Sequence, residues 1–175
     1  MFIIPGFLVA IVTFPGVILH EAGHMLACKI RHVAVFDVCY FRFGNPVGYV
    51  LHEEITDFNT AFLVSIGPFV TNTLMCVLIC FPTFLPMRFF GVSSAFSYLL
   101  LWLGVSIGMH AFPSTHDARN LFSQAKKAAR SGNPLAILSF PLVIAVYIAN
   151  ALSVIWFDYA YGVFVGYYLP SLVFK

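Results

Sequence analysis

The sequence predicts an α-helical polytopic membrane protein: a three-helix core, a further C-terminal membrane region, and a β-hairpin at the membrane surface after the first helix. Of its 175 residues, 61% are hydrophobic and only 9% charged, and the mean hydropathy is +0.92, far from the profile of a water-soluble domain. The apolar residues gather in runs long enough to cross a bilayer, which takes about 20 residues. Between the first two runs the pattern turns from helical to strand-like. The length suits one membrane domain over 1–175, with a core at about 2–117 and a C-terminal membrane region at about 134–174, and leaves no room for an accessory domain.

The first apolar run goes from Phe2 to about Ile30, roughly 40 Å of helix at about 1.5 Å per residue. It is longer than a hydrocarbon core, so its last turns reach the interface. Neither a basic leader nor a small-residue cleavage site precedes its first polar residues, and it reads as a retained helix. Pro5 and Pro15 lie within it, and a kink is expected just before His20.

From His32 to about Asp57 the segment Val33 to Phe43 is rich in β-branched and aromatic residues. Gly44-Asn45-Pro46 has turn chemistry, and Val47 to Leu51 resumes the strand pattern. This predicts a β-hairpin, apolar on both faces and so packed against lipid or helices. His52, Glu53, Glu54 and Asp57 read as a solvated interfacial face.

A second span is expected from about Phe58 to Leu85 and a third from about Val92 to Ala111, joined by a tight turn containing Pro86 and Arg88. After Pro113, the segment Ser114 to Asn133 carries Arg119, Lys126, Lys127 and Arg130 and reads as a short amphipathic helix on the membrane surface. The last run, Leu135 to Phe174, is too long for one span and too short for two with a comfortable loop, so its number of crossings stays open. Gly104 with Gly108, and Gly162 with Gly166, have the spacing that lets membrane helices approach closely.

Lys29, Arg31, Arg42, Arg119, Lys126, Lys127 and Arg130 fall in the loops after spans one and three. The excess of positive charge predicts that these loops face the cytoplasm, with the N-terminus outside and the chain a multi-pass protein of the cell membrane. A formal charge of +2, scattered over short loops, excludes a nucleic-acid partner. Cys28, Cys39, Cys76 and Cys80 read as packing thiols and not as a disulfide framework.

The chemistry lies in His20-Glu21-Ala22-Gly23-His24. Four residues are a little more than one helical turn, so the two histidines stack on one face about 6 Å apart and can share one tetrahedral zinc. Glu21 is placed to reach a water on that zinc, whose pKa the ion lowers, and to carry its proton to a leaving amine. Two histidines and a glutamate in an otherwise charge-free membrane helix are costly to desolvate, which argues for function. A catalytic zinc takes a third protein ligand, and the candidates at the matching end of the third span are His110, His116 and Asp117.

With these residues the chain resembles the site-2-protease family of intramembrane zinc metallopeptidases, whose HExxH helix is completed by an aspartate after a proline-containing turn. Phe112-Pro113-Ser114-Thr115-His116-Asp117 matches that turn, and the resemblance covers about Phe2 to Asp117. It implies that Asp117 is the third ligand, with His110 and His116 near it as supporting groups. The family's glycine-proline pair followed by an asparagine is matched by Gly67-Pro68 and Asn72. An amide there can hydrogen-bond substrate backbone or a developing oxyanion, or else join helices, and Gly67-Pro68 can kink or closely pack its span. The spacing is one residue longer than usual, and the aspartate motif lacks the family's leading asparagine and following glycine, which marks a divergent member.

The expected activity is zinc-dependent hydrolysis, with one Zn2+ per chain, of a peptide bond in a membrane-spanning protein near the cytoplasmic side. Water would enter by a polar cleft among the first three spans. An exposed strand edge near Val47 to Leu51 is placed to hold an unwound substrate by β-augmentation. The expected partners are that substrate, the lipid bilayer and a separate adaptor for selection. Two alternatives are a membrane metal-binding or transport protein, against which Glu21 speaks, and an inactive homologue serving as a client-binding scaffold.

Overall fold

A computed structural model describes residues 6–173, so Phe2, Pro5 and Phe174 lie outside the described residues. Helix α1 (Gly6–Val12) is followed by α2 (Phe14–Ile30), strands β1 (Val35–Cys39) and β2 (Tyr49–His52), and helices α3 (Phe58–Phe89), α4 (Ala95–Met109), α5 (Thr115–Arg130) and α6 (Pro134–Leu152). A 3-10 turn (Ser153–Ile155) leads to α7 (Phe157–Val163), a π-turn (Phe164–Tyr168) and α8 (Leu169–Val173).

The first run is not one helix. α1 and α2 meet at 93°, and the break falls at Thr13 instead of just before His20. Pro15, at the second position of α2, explains the displacement: it has no N–H to bond back into α1, whereas in the first turn of a new helix that N–H is not needed. α2 ends with His32 in the left-handed region (φ 55) and Val33 N–H bonded back to the Cys28 carbonyl at 2.9 Å.

The hairpin forms as expected, with Val35 opposite His52 and Cys39 opposite Tyr49 in an antiparallel pair. The solvated face expected after it is put to use. Glu53 accepts a hydrogen bond from Ala34 N–H at 2.9 Å, and Asp57 caps α3 by accepting from Thr60 N–H at 2.8 Å. The hydrogen bonds from Thr60 hold the Asp57 carboxyl below its ordinary value of 3.8.

α3 has 32 residues, roughly 48 Å at about 1.5 Å each, and runs through Pro68, Pro82 and Pro86. The turn expected at Pro86 and Arg88 therefore starts only at Phe90, whose N–H still bonds to Pro86. This long helix is the spine of the fold. α2 runs antiparallel along its first half, where a Cβ on Gly23 would touch Pro68 and one on Gly67 would touch Ala27, and Arg31 reaches Thr60 at 2.8 Å. α4 runs antiparallel along its second half, with Gly108 against Cys76 and Gly104 against Cys80. α7 closes the same layer: Gly162 packs on the backbone of Met109 and Val105, and Gly166 on Cys80. The two small-residue pairs and the two thiols thus form one seam, and all four cysteines are free.

The region left open at the C-terminus folds as two arms meeting at Trp156, which takes a left-handed φ of 66°. The first arm, α6, lies against α5, and Leu121, Ala125, Ala136, Val143 and Val146 form a core with Phe58 and Ile66 of α3. The α5–α6 turn is sharp because Gly132 takes φ 80°, bringing Asn133 N–H onto Ala128 O at 3.0 Å. Asn133 then caps α6, and Pro134 fills its first position.

Among the described residues two helices, Phe58–Phe89 and Pro134–Ile155, are long and apolar enough to cross a membrane, and the bent α1–α2 pair would be a third. α4 is also apolar but has 15 residues, short of the span expected from Val92 to Ala111, because Ser94 caps its start and His110 ends it ahead of Pro113.

Candidate metal centre

His20, Glu21 and His24 lie in the middle of α2, where the helix crosses the first half of α3. The two imidazole rings are 4.9 Å apart between centroids. His20 Nδ1 is 2.7 Å from the His110 carbonyl oxygen, and His24 Nδ1 is 3.0 Å from that of Val64. A carbonyl oxygen only accepts, so both histidines carry their proton on Nδ1 and present a bare Nε2. Orientation of a metal-binding imidazole by a carbonyl behind it is the usual arrangement at such centres.

Asp117 comes from the first turn of α5. Pro113 prevents α4 from continuing, Ser114 caps the new helix by accepting from Asp117 N–H, and the Ser114 hydroxyl donates to Asp117 Oδ2 at 2.6 Å. One carboxylate oxygen is thereby fixed 3.6 Å from His24 Nε2. That is too long for a hydrogen bond. It is close to the separation of about 3.4 Å between two ligands of one tetrahedral zinc.

Ligand atoms of His20, His24 and Asp117 all lie within 4.8 Å of one another. Two neutral imidazoles and a carboxylate, with a fourth position open, are a donor set that fits a catalytic zinc. The other two candidate ligands stay outside the cluster. His116 is exposed on its rim. The His110 ring turns away from Asp117 to Thr13 Oγ1 at 2.7 Å, so its supporting role passes to its main chain, whose carbonyl orients His20.

Asn72 is placed between helices. It is fully buried, and its amide nitrogen contacts the carbonyls of Gly16, Ile107 and His110 at 3.1, 3.2 and 2.9 Å. One side chain of α3 thus ties α2 to the end of α4, and the His110 carbonyl it holds is the one that holds His20. Gly67-Pro68 packs closely, in the seam with Gly23.

Glu21 is 8% exposed, and two cavities meet at it. One, of about 340 Å³, lies under the hairpin and is lined by Tyr49, Val50, His52, His116 and Asp117 besides His20, Glu21 and His24. The other, of about 490 Å³, runs from His20 and Glu21 beneath α1 to Asn150, Ser153 and Asp158 at the α6–α7 corner. Pro46 and Gly48 border both, and Gly48 is the point of closest approach: a Cβ there would lie 2.8 Å from Glu21 Cγ. On the hairpin, Tyr49 donates to Asp37 at 2.7 Å, and that bond raises the phenol above its ordinary range.

No protein-family model, curated protein or solved structure matches this chain.

Several residues of the site are not among those the sequence singles out. Ser114 has a legible signal, since a serine three residues before an aspartate at the start of a helix is capping chemistry. Asn150 is an amide in an apolar helix and donates to Pro113 O at 2.9 Å, tying α6 to the turn that carries Asp117. The carbonyls of Val64 and His110 have none, because a backbone group carries no sequence mark.

Proposed function

We propose that the chain is a polytopic intramembrane zinc protease, a divergent relative of the site-2-protease family, that hydrolyses a peptide bond of a membrane-spanning protein near the cytoplasmic side. The observation that carries the reading is the convergence of two Nε2 atoms and one carboxylate beside a buried glutamate, at the junction of two cavities. His20, His24 and Asp117 would hold the ion. When bound, zinc supplies Lewis acidity, which polarises a carbonyl and acidifies water.

The chain's own groups do the rest. Glu21 takes the proton of the attacking water and returns it to the departing nitrogen, a transfer its position one residue after His20 allows. The hydrogen bonds from His20 and His24 to backbone carbonyls keep both rings in one tautomer throughout. Ser114 keeps Asp117 aimed. The two cavities give an extended peptide room on either side of Glu21, with the hairpin residues Pro46 to Val50 over one of them.

Transport fits less well, since a pathway has no use for a carboxylate at the position of a general base. The test is zinc per chain in detergent-purified full-length protein, wild type beside Glu21→Gln and Asp117→Ala. About one zinc is expected in wild type and in Glu21→Gln, with loss in Asp117→Ala. Hydrolysis of a membrane-spanning reporter by wild type and not by Glu21→Gln completes the case. A folded wild type without zinc would refute it.

A further inference from the structure

The stretch 134–173 contains a single charged residue, Asp158. It opens α7 at the corner with α6, and it lines the same cavity of about 490 Å³ as His20 and Glu21. A second cavity beneath α1, of about 270 Å³ and also bordered by His110, has it in its wall as well. One of its oxygens accepts from Tyr159 N–H at 3.0 Å. Asp158 also accepts from its own backbone N–H, but among the described residues no side chain donates to it, and neither ion pair found there, His24 with Asp117 or Arg31 with Asp57, involves it.

A helix cap alone would be served by serine or asparagine, without desolvating a charge. An ionisable group kept in so apolar a segment without a counter-ion is a sign of a ligand that brings the opposite charge. Asn150 and Ser153 add polar groups to the same end of the cavity. Phe7 and Ala10 of α1 and Met109 also line this cavity, which suits an aliphatic stem.

We infer that Asp158, with Asn150 and Ser153, forms a specificity subsite that takes a lysine or arginine side chain of the substrate close to the scissile bond. This rests on the protease reading for the identity of the ligand as a membrane-spanning segment. Such segments carry their positive residues on the cytoplasmic flank, the side on which cleavage is proposed. The subsite would then place the flank of the segment, and not its centre, over Glu21.

The test measures binding, so it does not depend on turnover. Full-length Glu21→Gln protein in phosphatidylcholine nanodiscs is titrated with three labelled single-span Leu/Ala peptides differing only in one flanking residue, Lys, Gln or Glu. The Lys peptide should bind about tenfold more tightly than the Glu peptide, the range expected of a partly desolvated charge pair. Asp158→Asn should bring the two within about twofold, and Asp158→Lys should reverse their order.

An unchanged preference in Asp158→Asn overturns the inference. So does an equal loss for all three peptides, which is what a structural role predicts, or no binding of any of them. Cleavage of the same peptides by the Glu21-containing wild type is read in parallel. A charge preference abolished by Asp158→Asn, with no zinc and no cleavage, would leave the subsite standing and remove the protease reading.

Discussion

Gly23 is the unspecified fourth residue of the histidine motif, and the structure gives it a measurable task. A Cβ on it would lie 2.6 Å from Thr71 Oγ1, 2.8 Å from Pro68 Cα and 3.0 Å from Pro68 N. The threonine can turn aside, but the proline atoms belong to the α3 backbone. Ordinary contact begins near 3.4 Å, so Gly23→Ala must push α2 from α3 by roughly 0.6 Å at this crossing. The hydrogen bond from His24 Nδ1 to the Val64 carbonyl spans the same seam at 3.0 Å. Lengthened by up to that amount, it reaches roughly 3.6 Å and ceases to hold the ring. Overpacking of this kind costs about 1–3 kcal/mol of stability. Loss of a group that orients a ligand weakens metal binding about 10–100-fold. Chelator competition for zinc and thermal unfolding in detergent read the two effects separately. Gly44→Ala is the control, because its Cβ would find nothing nearer than 3.7 Å. Zinc held by Gly23→Ala as tightly as by wild type would refute the argument that the seam aims His24, even if the variant melted earlier.

Two further predictions follow from the supports of the site. Asn150→Leu keeps the volume of α6 but cuts the bond to Pro113; zinc binding should weaken about tenfold, as for other residues standing behind a ligand, while far-ultraviolet circular dichroism stays unchanged. Equal zinc affinity in that variant would detach α6 from the metal centre. Asp57→Ala removes the α3 cap and should cost about 0.5–2 kcal/mol near neutral pH. Because the folded carboxyl sits below its ordinary value of 3.8, the ionised cap stabilises the fold above that value and the contribution fades as pH falls through the folded one. The gap between wild type and variant, followed by thermal unfolding from pH 7 to 3, should therefore hold down to about pH 4 and then shrink. A gap that widens in acid would contradict the sign.

Where a sequence signal is local, the fold follows it. The hairpin is marked by its β-branched run and its Gly44-Asn45-Pro46 turn, and α5 by Ser114 at one end and Gly132 at the other. The convergence of Asp117 with His20 and His24 was reached through a resemblance and is reproduced by distances. What depended on partners was not legible. Hydropathy treats Phe2 to Ile30 as one run, because it measures solvent preference and not continuity of the backbone hydrogen bonds that Pro15 interrupts. Asn72 offered two roles on equal terms, and the contacts of its amide with Gly16, Ile107 and His110 could not be read from the sequence. Leu135 to Phe174 could not be divided by length, since the corner at Trp156 is set by packing on α4 and α5.

The length of α3 ties these observations together. Its second half, with α4 and α7, makes a layer in which helices meet through glycine and cysteine. Its first half carries the candidate metal centre: α2 with the histidines, the α5 turn with Asp117, and the hairpin over Glu21. Asn72 stands where the two halves join and holds the ends of α2 and α4 at that level. Burying two imidazoles and a glutamate is costly wherever water is scarce. The chain meets that cost locally, by pairing each imidazole with a backbone carbonyl beside a neighbouring helix and by gathering the site along the first half of its longest helix, where two cavities meet at Glu21. On the proposed reading, a hydrolytic centre so placed would act on the end of a membrane segment, the part of a substrate where a single acidic residue such as Asp158 would have a charge to recognise.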